Sequence, residues 1–269
     1  MARIPGKHFL RNLIDGRTLL FQLVRRDFEQ RFVGSAAGWL WGLIHPLVLL
    51  VSWTFVFQWC LKQKPPPGEV TQNYTIFLFS GFLPWLLFQD TVTRSASCLI
   101  ENANLITKTV FPSEMVPVSI FLSSLMSHLL ALALVVVVVG LWFRELSAMA
   151  LFLPVYMALL GLFAIGVGWV VSSLQVYLRD TAQVLTVVMT FWFWMTPIFI
   201  SEEKIPSQVR FLVQINPMAY LVRAYRERLL SYRPLQAREF LVLAVCSITA
   251  FVLGGLFFRH LKRGFADVL

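Results

Sequence analysis

The sequence contains few charged residues, and acidic residues are the scarcer sign. Asp, Glu, Lys and Arg form 14% of the 269 residues, with 14 acidic against 23 basic side chains. A soluble globular domain carries about 25% charged residues, so this composition excludes an ordinary water-soluble domain. Hydrophobic residues form 58% of the chain, and aromatic residues form 14%. Such a composition is typical of a protein that exposes much of its surface to lipid.

Cysteine is also scarce, and the usual metal-binding motifs are absent. The three cysteines, Cys60, Cys98 and Cys246, are odd in number and widely spaced, which argues against a disulfide framework or a zinc site. There is no HExxH motif, no DxD pair of carboxylates and no clear Ser/His/Asp set. The sequence therefore predicts no metal site and no catalytic residue.

The motifs of an energy-converting protein are missing as well. No GxxxxGK[ST] loop is present, so the chain does not bind a nucleotide through a P-loop. Ion-driven pumps place charges near the middle of a span, and only Asp90 comes close, with Arg94 four residues later as a candidate partner. His128 is more typical of an interhelical hydrogen bond than of a proton relay. Any energy source is therefore expected on another chain.

The excess of basic residues gives a net charge of +9. Without a base-reading motif we expect no nucleic-acid partner, and interpret these residues as cytoplasmic groups facing anionic membrane lipid. An even number of spans would place both termini on one side, and the basic N-terminal segment and basic tail favour the cytoplasm. Charge alone does not decide the orientation, because the segment 202–239 is also rich in arginine.

Long apolar runs define the fold class. A bilayer core about 30 Å thick needs roughly 20 apolar residues in a helix. The runs predict an all-α membrane protein, a single transmembrane domain over residues 1–269 with six transmembrane helices. The spans are predicted at about 38–61, 74–93, 115–142, 150–176, 181–200 and 240–258.

Two further segments are too short or too charged to span. Residues 18–32 alternate apolar and charged side chains, which favours an amphipathic helix in the membrane interface over a simple basic flank of the first span. Residues 202–238 hold one apolar run, interrupted at Asn216-Pro217. This pattern favours short re-entrant or interfacial helices, an outer hairpin, over a surface loop helix.

Several motifs, in order along residues 20–260, resemble those of ABC-2 type membrane subunits. The nearest group is the permeases that export O-antigen, capsule and teichoic acid chains. The motifs are Arg26-Asp27-Phe28, Arg31-Phe32, Gly38-Trp39-Leu40-Trp41, Pro46, Gly81-Phe82-Leu83-Pro84-Trp85, Asn102-Ala103-Asn104-Leu105-Ile106-Thr107-Lys108, Phe111-Pro112, Tyr177-Leu178-Arg179-Asp180, Phe193-Trp194-Met195-Thr196-Pro197-Ile198 and Asn216-Pro217.

The resemblance implies a transport subunit rather than an enzyme. It implies a homodimer that pairs with two copies of a separate ATP-binding subunit, which would hold ATP and Mg²⁺. The expected substrate is a lipid-linked polysaccharide such as O-antigen, in a bacterial inner membrane with both termini cytoplasmic. It also implies that the loop 101–112 couples the ATPase to the spans. The expected coupling residues are Glu101, Asn102, Asn104, Leu105, Lys108, Phe111 and Pro112.

Two sets of candidate substrate residues follow. Arg25, Arg26 and Arg31 are candidates to attract the anionic headgroup of the substrate, although topology and lipid binding also explain them. Aromatic rings can stack on the apolar faces of sugar rings, although anchoring at the lipid interface is the simpler explanation. The candidate channel-lining aromatics are Trp53, Phe57, Trp85, Phe88, Trp192 and Trp194.

Two other functions remain open from the sequence. One is an ABC-2 permease for a drug or small lipid, which the aromatic-rich spans make less favourable. The other is a membrane enzyme of glycolipid synthesis, such as a polyprenyl-phosphate sugar transferase. That enzyme would need paired acidic residues near the interface, and only Glu202-Glu203 offers adjacent carboxylates.

Overall fold

The chain folds as helices joined by turns, with no β-strand in the part that the structure describes. The computed structural model describes residues 16–31, 33–36, 38–65, 69–108, 111–143, 146–200, 202, 205–232 and 236–269. Parts of the predicted segments lie outside the described residues, namely Phe32 and residues 109–110, 203–204 and 233–235.

The α-helices differ widely in length. They are α1 (Arg17–Gln30), α2 (Trp41–Thr54), α3 (Tyr74–Glu101), α4 (Ala103–Lys108), α5 (Met115–Val138), α6 (Leu153–Tyr177), α7 (Thr181–Met195), α8 (Arg210–Ile215), α9 (Pro217–Leu230), α10 (Ala237–Leu261) and α11 (Phe265–Val268). Short 3₁₀ or π turns extend several of them, at Gly38–Leu40, Phe55–Cys60, Val139–Phe143, Ala148–Phe152 and Lys262–Gly264.

Five helical segments within the described residues are long and apolar enough to cross a membrane. They are Gly38–Cys60, Tyr74–Glu101, Met115–Leu141, Ala148–Tyr177 and Ala237–Gly264. The predicted all-helical class with several helices of membrane-spanning length is therefore confirmed. The apolar helix α7 has 15 residues, which corresponds to about 22 Å at 1.5 Å per residue and falls short of a bilayer core.

Local sequence explains where two of these helices begin and end. The side chain of Asn73 caps α3 by accepting hydrogen bonds from the backbone N–H groups of Thr75 at 2.9 Å and Ile76 at 3.3 Å. α7 ends before Pro197 because a residue that precedes proline disfavours helical geometry. Accordingly, Thr196 has an extended backbone with ψ of 132°.

Helix α3 lies at the centre of the bundle, whereas α2 lies at its edge. α3 packs against α5, α6, α7 and α9, and most of its length is buried. It continues to Glu101, beyond the predicted limit of the span at residue 93. In α2, by contrast, only Leu50 is buried among its described residues. One face of α2 is therefore free to meet lipid or another chain.

Helices α6 and α10 pack so closely that their backbones touch. A Cβ atom built at Gly254 would lie 2.1 Å from the carbonyl oxygen of Gly166, and one at Gly166 would lie 2.4 Å from that of Ala250. Small residues at a helix crossing permit this approach in lipid. The last long helix is therefore fixed to α6 through backbone contact.

Substitution of Gly254 by alanine is expected to lower the melting temperature of the detergent-purified protein. The added methyl group would overlap backbone atoms that cannot rotate away, and overpacking costs about 1–3 kcal/mol. Gly255→Ala is the matched control, because its Cβ would lie 3.4 Å from the side chain of Trp169. Equal melting temperatures for the two variants would contradict the tight crossing.

The segment between α7 and α10 forms two helices that fold back onto the bundle. Asn216 caps α9 by accepting a hydrogen bond from Met218 N–H at 3.0 Å, and its Nδ2 donates to Thr196 Oγ1 at the end of α7 at 3.0 Å. At the other end of α9, the carbonyl oxygen of Leu229 accepts a bond from Ser147 N–H at 2.9 Å, and Ser147 Oγ donates to the carbonyl of Ser231 at 2.8 Å. α9 is thus anchored to α7 at its start and to the α5–α6 connection at its end.

Candidate functional site

A cavity of about 540 Å³ opens between α2, α3, α5 and α7. Its wall is mostly apolar and aromatic, with Trp41 and Trp53 from α2, Phe82 from α3 and Phe193 from α7. The polar residues in the wall include His45, Gln89, Thr93, Ser127 and Thr190. An amphiphilic wall of this size is typical of a ligand-binding or transport cavity.

A cluster of four charged side chains, here called the charge cluster, borders the cavity. Arg31 Nη2 lies 2.6 Å from Asp90 Oδ2 and donates to Ser124 Oγ at 2.8 Å. Arg94 Nη2 lies 2.5 Å and 2.7 Å from the two carboxylate oxygens of Asp27. The cluster is neutral overall. Through Asp27 on α1 and Arg31 directly after it, the cluster joins this part of the chain to α3 and α5. The pair predicted between Asp90 and Arg94 is present but longer, at 3.9 Å.

The three candidate headgroup arginines lie in two different environments. Arg25 and Arg26 are exposed on α1, and Arg25 Nε donates to Glu29 Oε1 at 2.7 Å. This hydrogen bond raises the pKa of Arg25 above its ordinary value, so its charge is retained. Arg31 belongs to the charge cluster, where its guanidinium already has acidic partners. Arg25 and Arg26 are therefore the two exposed members of this set, and Arg25 shares its charge with Glu29.

Four of the six candidate channel aromatics pack inside the protomer. Trp85 and Phe88 have no exposed surface, and Phe88 stacks on Phe163 with ring centroids 5.3 Å apart. Trp192 packs edge-on against Phe88 at 5.1 Å and donates to Asn216 Oδ1 at 2.8 Å. Because α3 is central, the aromatic face that carries Trp85 and Phe88 is turned towards α6 and α7.

Phe57 is the fourth aromatic that packs inside the protomer, and its ring stacks on Phe199 at 4.8 Å. The two remaining aromatics have accessible faces. Trp53 lines the cavity and contacts Phe82 edge-on at 4.4 Å. Trp194 is 62% exposed on α7 while one face stacks on Phe199 at 5.3 Å.

A polar stripe on α7 was not anticipated from the sequence. Gln183, Thr186 and Thr190 are exposed on one side of an otherwise apolar helix, and Thr190 also lines the cavity. The two threonine hydroxyls donate to the carbonyls four residues earlier, at 2.9 Å and 2.8 Å. Their remaining lone pairs can accept hydrogen bonds from a ligand. The spacing of three and four residues in the sequence was the signal that could have revealed the stripe.

The predicted coupling residues surround the short helix α4 between α3 and α5. Glu101, Asn104 and Lys108 are exposed. Asn102 is half-buried, and its Nδ2 donates to the carbonyl of Cys98 at 2.9 Å, which fixes the turn after α3. The other three predicted residues, Leu105, Phe111 and Pro112, are also half-buried. The segment therefore presents a polar outer surface on a packed base.

The structure contains no metal-binding constellation within the residues it describes. No group of three or more His, Cys, Asp or Glu side chains lies close enough to hold an ion there. The cysteines Cys60, Cys98 and Cys246 are all free.

Comparison with known proteins identifies the family. The profile of the family described as ABC-2 type transporter matches residues 18–230. The chain is 28% identical over 269 residues to an O-antigen export system permease protein RfbA of Klebsiella pneumoniae, covering 99% of both chains. It is 26% identical to the protein of the same name from Myxococcus xanthus, over 96% of this chain and 98% of that one.

A more distant relative is the polysialic acid transport protein KpsM of Escherichia coli. It is 22% identical over 208 residues, which is 76% of this chain and 78% of that protein. The family profile covers most of the chain, and the two RfbA proteins match it from end to end. The chain therefore belongs to the ABC-2 type transporter family.

Proposed function

We propose that the chain is the membrane permease subunit of an ABC exporter that moves lipid-linked polysaccharide across the bacterial inner membrane. The observation that carries this proposal is the end-to-end similarity to two O-antigen export permeases. Five helices of membrane-spanning length agree with a multi-pass protein. Because the sequence has no P-loop, ATP and Mg²⁺ would be bound by a separate ATP-binding subunit.

We further propose six spans, with α7 as a short fifth one. α7 is about 8 Å shorter than a bilayer core, and the returning helices α8 and α9 would fill the remaining depth on the outer side. In this topology both termini are cytoplasmic, and α1 lies in the cytoplasmic interface. The exposed Phe21 beside the exposed Arg25 and Arg26 supports an interfacial position.

The channel is proposed to form between two copies of the chain. The cavity beside α2 and the polar stripe on α7 would each supply half of its wall. Threonine hydroxyls would accept hydrogen bonds from sugar hydroxyls, and Trp53 and Trp194 would offer flat apolar faces. We assign Phe57, Trp85, Phe88 and Trp192 to the packing that holds these faces in place. Arg25 and Arg26 remain the candidates for the anionic headgroup.

The hydroxyls of the stripe provide a specific prediction. The double substitution Thr186→Val and Thr190→Val keeps side-chain shape and removes two hydrogen-bond acceptors, so export should fall about 2- to 10-fold per lost bond. Thr249→Val, at an exposed threonine on α10, is the matched control and should leave export unchanged. Surface polysaccharide on intact cells is the measurement. An unchanged double variant would remove the stripe from the channel wall.

Deletion of the gene with plasmid complementation tests the proposed function as a whole. Surface polysaccharide should disappear while full-length lipid-linked polymer accumulates inside the cell, because synthesis continues without export. Leu253→Ala, at an exposed position of α10, should complement fully and serves as the control. If the internal polymer is also missing or truncated, the export function is wrong and a membrane enzyme of glycolipid synthesis becomes the better explanation.

A further inference from the structure

The residues that follow α10, Lys262–Leu269 and here called the tail, fold back against the bundle. A 3₁₀ turn at Lys262–Gly264 follows α10, and α11 then packs against α4 and against α6. A Cβ atom at Gly264 would lie 2.5 Å from the hydroxyl of Tyr177. That hydroxyl donates to the carbonyl of Leu261 at 2.9 Å. The turn is therefore held directly against the last residue of α6.

An aromatic side chain anchors the tail. Phe265 is 1% exposed, although it belongs to a helix of only four residues. Its ring lies edge-on to Phe258 with centroids 5.4 Å apart and 6.1 Å from the ring of Tyr177. Val268, on the same short helix, is exposed. Burial of one large ring thus ties a partly exposed segment to α6 and α10.

An ion pair ties the tail to the exit of the coupling segment. The ammonium group of Lys262 contacts the carboxylate of Glu114, whose side chain is nearly buried. Glu114 directly precedes α5, and its carbonyl oxygen accepts a hydrogen bond from Trp169 Nε1 at 3.1 Å. The point at which the coupling segment enters α5 is thereby joined to both α6 and the tail.

Helix α4 depends on such external support. It has six residues, and helices this short are not stable alone in water because nucleation is unfavourable. The Asn102 side chain fixes its start, Ile106 packs against the hydrophobic core, and α11 of the tail packs against it as well. Without the tail, α4 would keep its covalent connections and the contact of Ile106 but lose its contact with α11.

We propose that the tail is a positioning element for α4, with Phe265 and Lys262 as its two anchors. The inference rests on the proposed function, in which α4 contacts the ATP-binding subunit. Displacement of α4 by that subunit would then reach α6 and α10 through the tail, in addition to α3 and α5 through the chain itself. Loss of either anchor would leave ATP hydrolysis intact and reduce the transport obtained from it.

The test uses the complete complex with its ATP-binding subunit, reconstituted into liposomes with lipid-linked polymer. Polymer moved per ATP hydrolysed is measured for wild type, Phe265→Ala and Lys262→Gln. Residues in coupling networks modulate coupling by about 0.5–2 kcal/mol, so this ratio should fall about 2- to 30-fold. Val268→Ala is the matched control in the tail and should keep the wild-type ratio.

A charge exchange separates positioning from simple loss of folding. Lys262→Glu alone should lower the ratio, and Lys262→Glu combined with Glu114→Lys should restore it. Wild-type ratios for Phe265→Ala and Lys262→Gln would overturn the role of the tail while leaving the proposed function in place. A double exchange no better than the single one, in protein of wild-type melting temperature, would also overturn it. A wild-type complex that hydrolyses ATP without moving polymer would instead overturn the proposed function.

Discussion

Replacement of Arg226 by methionine is expected to prevent recovery of folded protein from the membrane. The buried guanidinium donates to the carbonyls of Phe77 at 3.1 Å, Pro197 at 2.9 Å and Ile198 at 2.5 Å. It also lies over the Phe77 ring at 3.6 Å. Each buried acceptor left without a donor costs about 1–3 kcal/mol, and a folded domain is stable by only about 5–15 kcal/mol.

The size of this effect follows from the position of Arg226. It lies on α9 and links this helix to the first turn of α3 and to the break after α7, so its removal breaks the link between three elements. A guanidinium stays protonated at neutral pH, so all its N–H groups remain donors. Methionine fills similar space without any donor.

The measurement is the yield of monodisperse protein and its melting temperature in detergent. Arg238→Met, at an exposed arginine in the first turn of α10, is the matched control and should behave as wild type. Equal yields and melting temperatures for the Arg226 and Arg238 variants would show that the carbonyls find other donors and that this link is dispensable.

Reversal of the charge at Arg94 is expected to reduce export at least about fivefold. Reversal of the charge at Asp27 in the same chain is expected to restore much of it. Arg94→Asp leaves the single guanidinium of Arg31 facing three carboxylates. Breaking a buried pair costs about 3–5 kcal/mol, and partial exposure of these side chains reduces this to about 1–3 kcal/mol. Asp27→Arg combined with Arg94→Asp returns opposite charges to the pair.

A double-mutant cycle on surface polysaccharide and on melting temperature measures this coupling. Glu29→Gln is the control, because Glu29 lies on the same helix but only in an exposed pair with Arg25, which water and salt screen. A double variant no better than Arg94→Asp would mean that α1 is held by contacts other than the charge cluster.

Some helix boundaries and one local pair were predictable from the sequence, whereas the end of α3 and partners distant in the chain were not. Asn73 and Pro197 are local signals, and they mark the start of α3 and the end of α7. The Asp90–Arg94 pair was also expected from its spacing. The shorter bonds of Arg94 to Asp27, 67 residues earlier, and of Arg31 to Asp90, 59 residues later, depend on how α1 and the residue after it meet α3.

The exposed faces of the apolar helices were the least predictable feature. In a soluble protein, hydrophobic residues mark the buried face of a helix. In a membrane, lipid and protein interior are both apolar, so this signal disappears. Trp85 and Trp194 therefore look alike in the sequence, although one is fully buried and the other is largely exposed. Polar residues on an apolar helix still indicate a face that avoids lipid, and the stripe on α7 is an example.

The backbone contact between α6 and α10 has a consequence for how the protomer can deform. Two helices interlocked at Gly166 and Gly254 resist both sliding and rotation, so they form a stiff frame. α2 buries only Leu50 among its described residues, and α7 buries only Leu185 and Met189. Compliance is thus concentrated on the side of the molecule that borders the cavity. Thermal energy alone would change the width of that cavity before it disturbed the frame behind it.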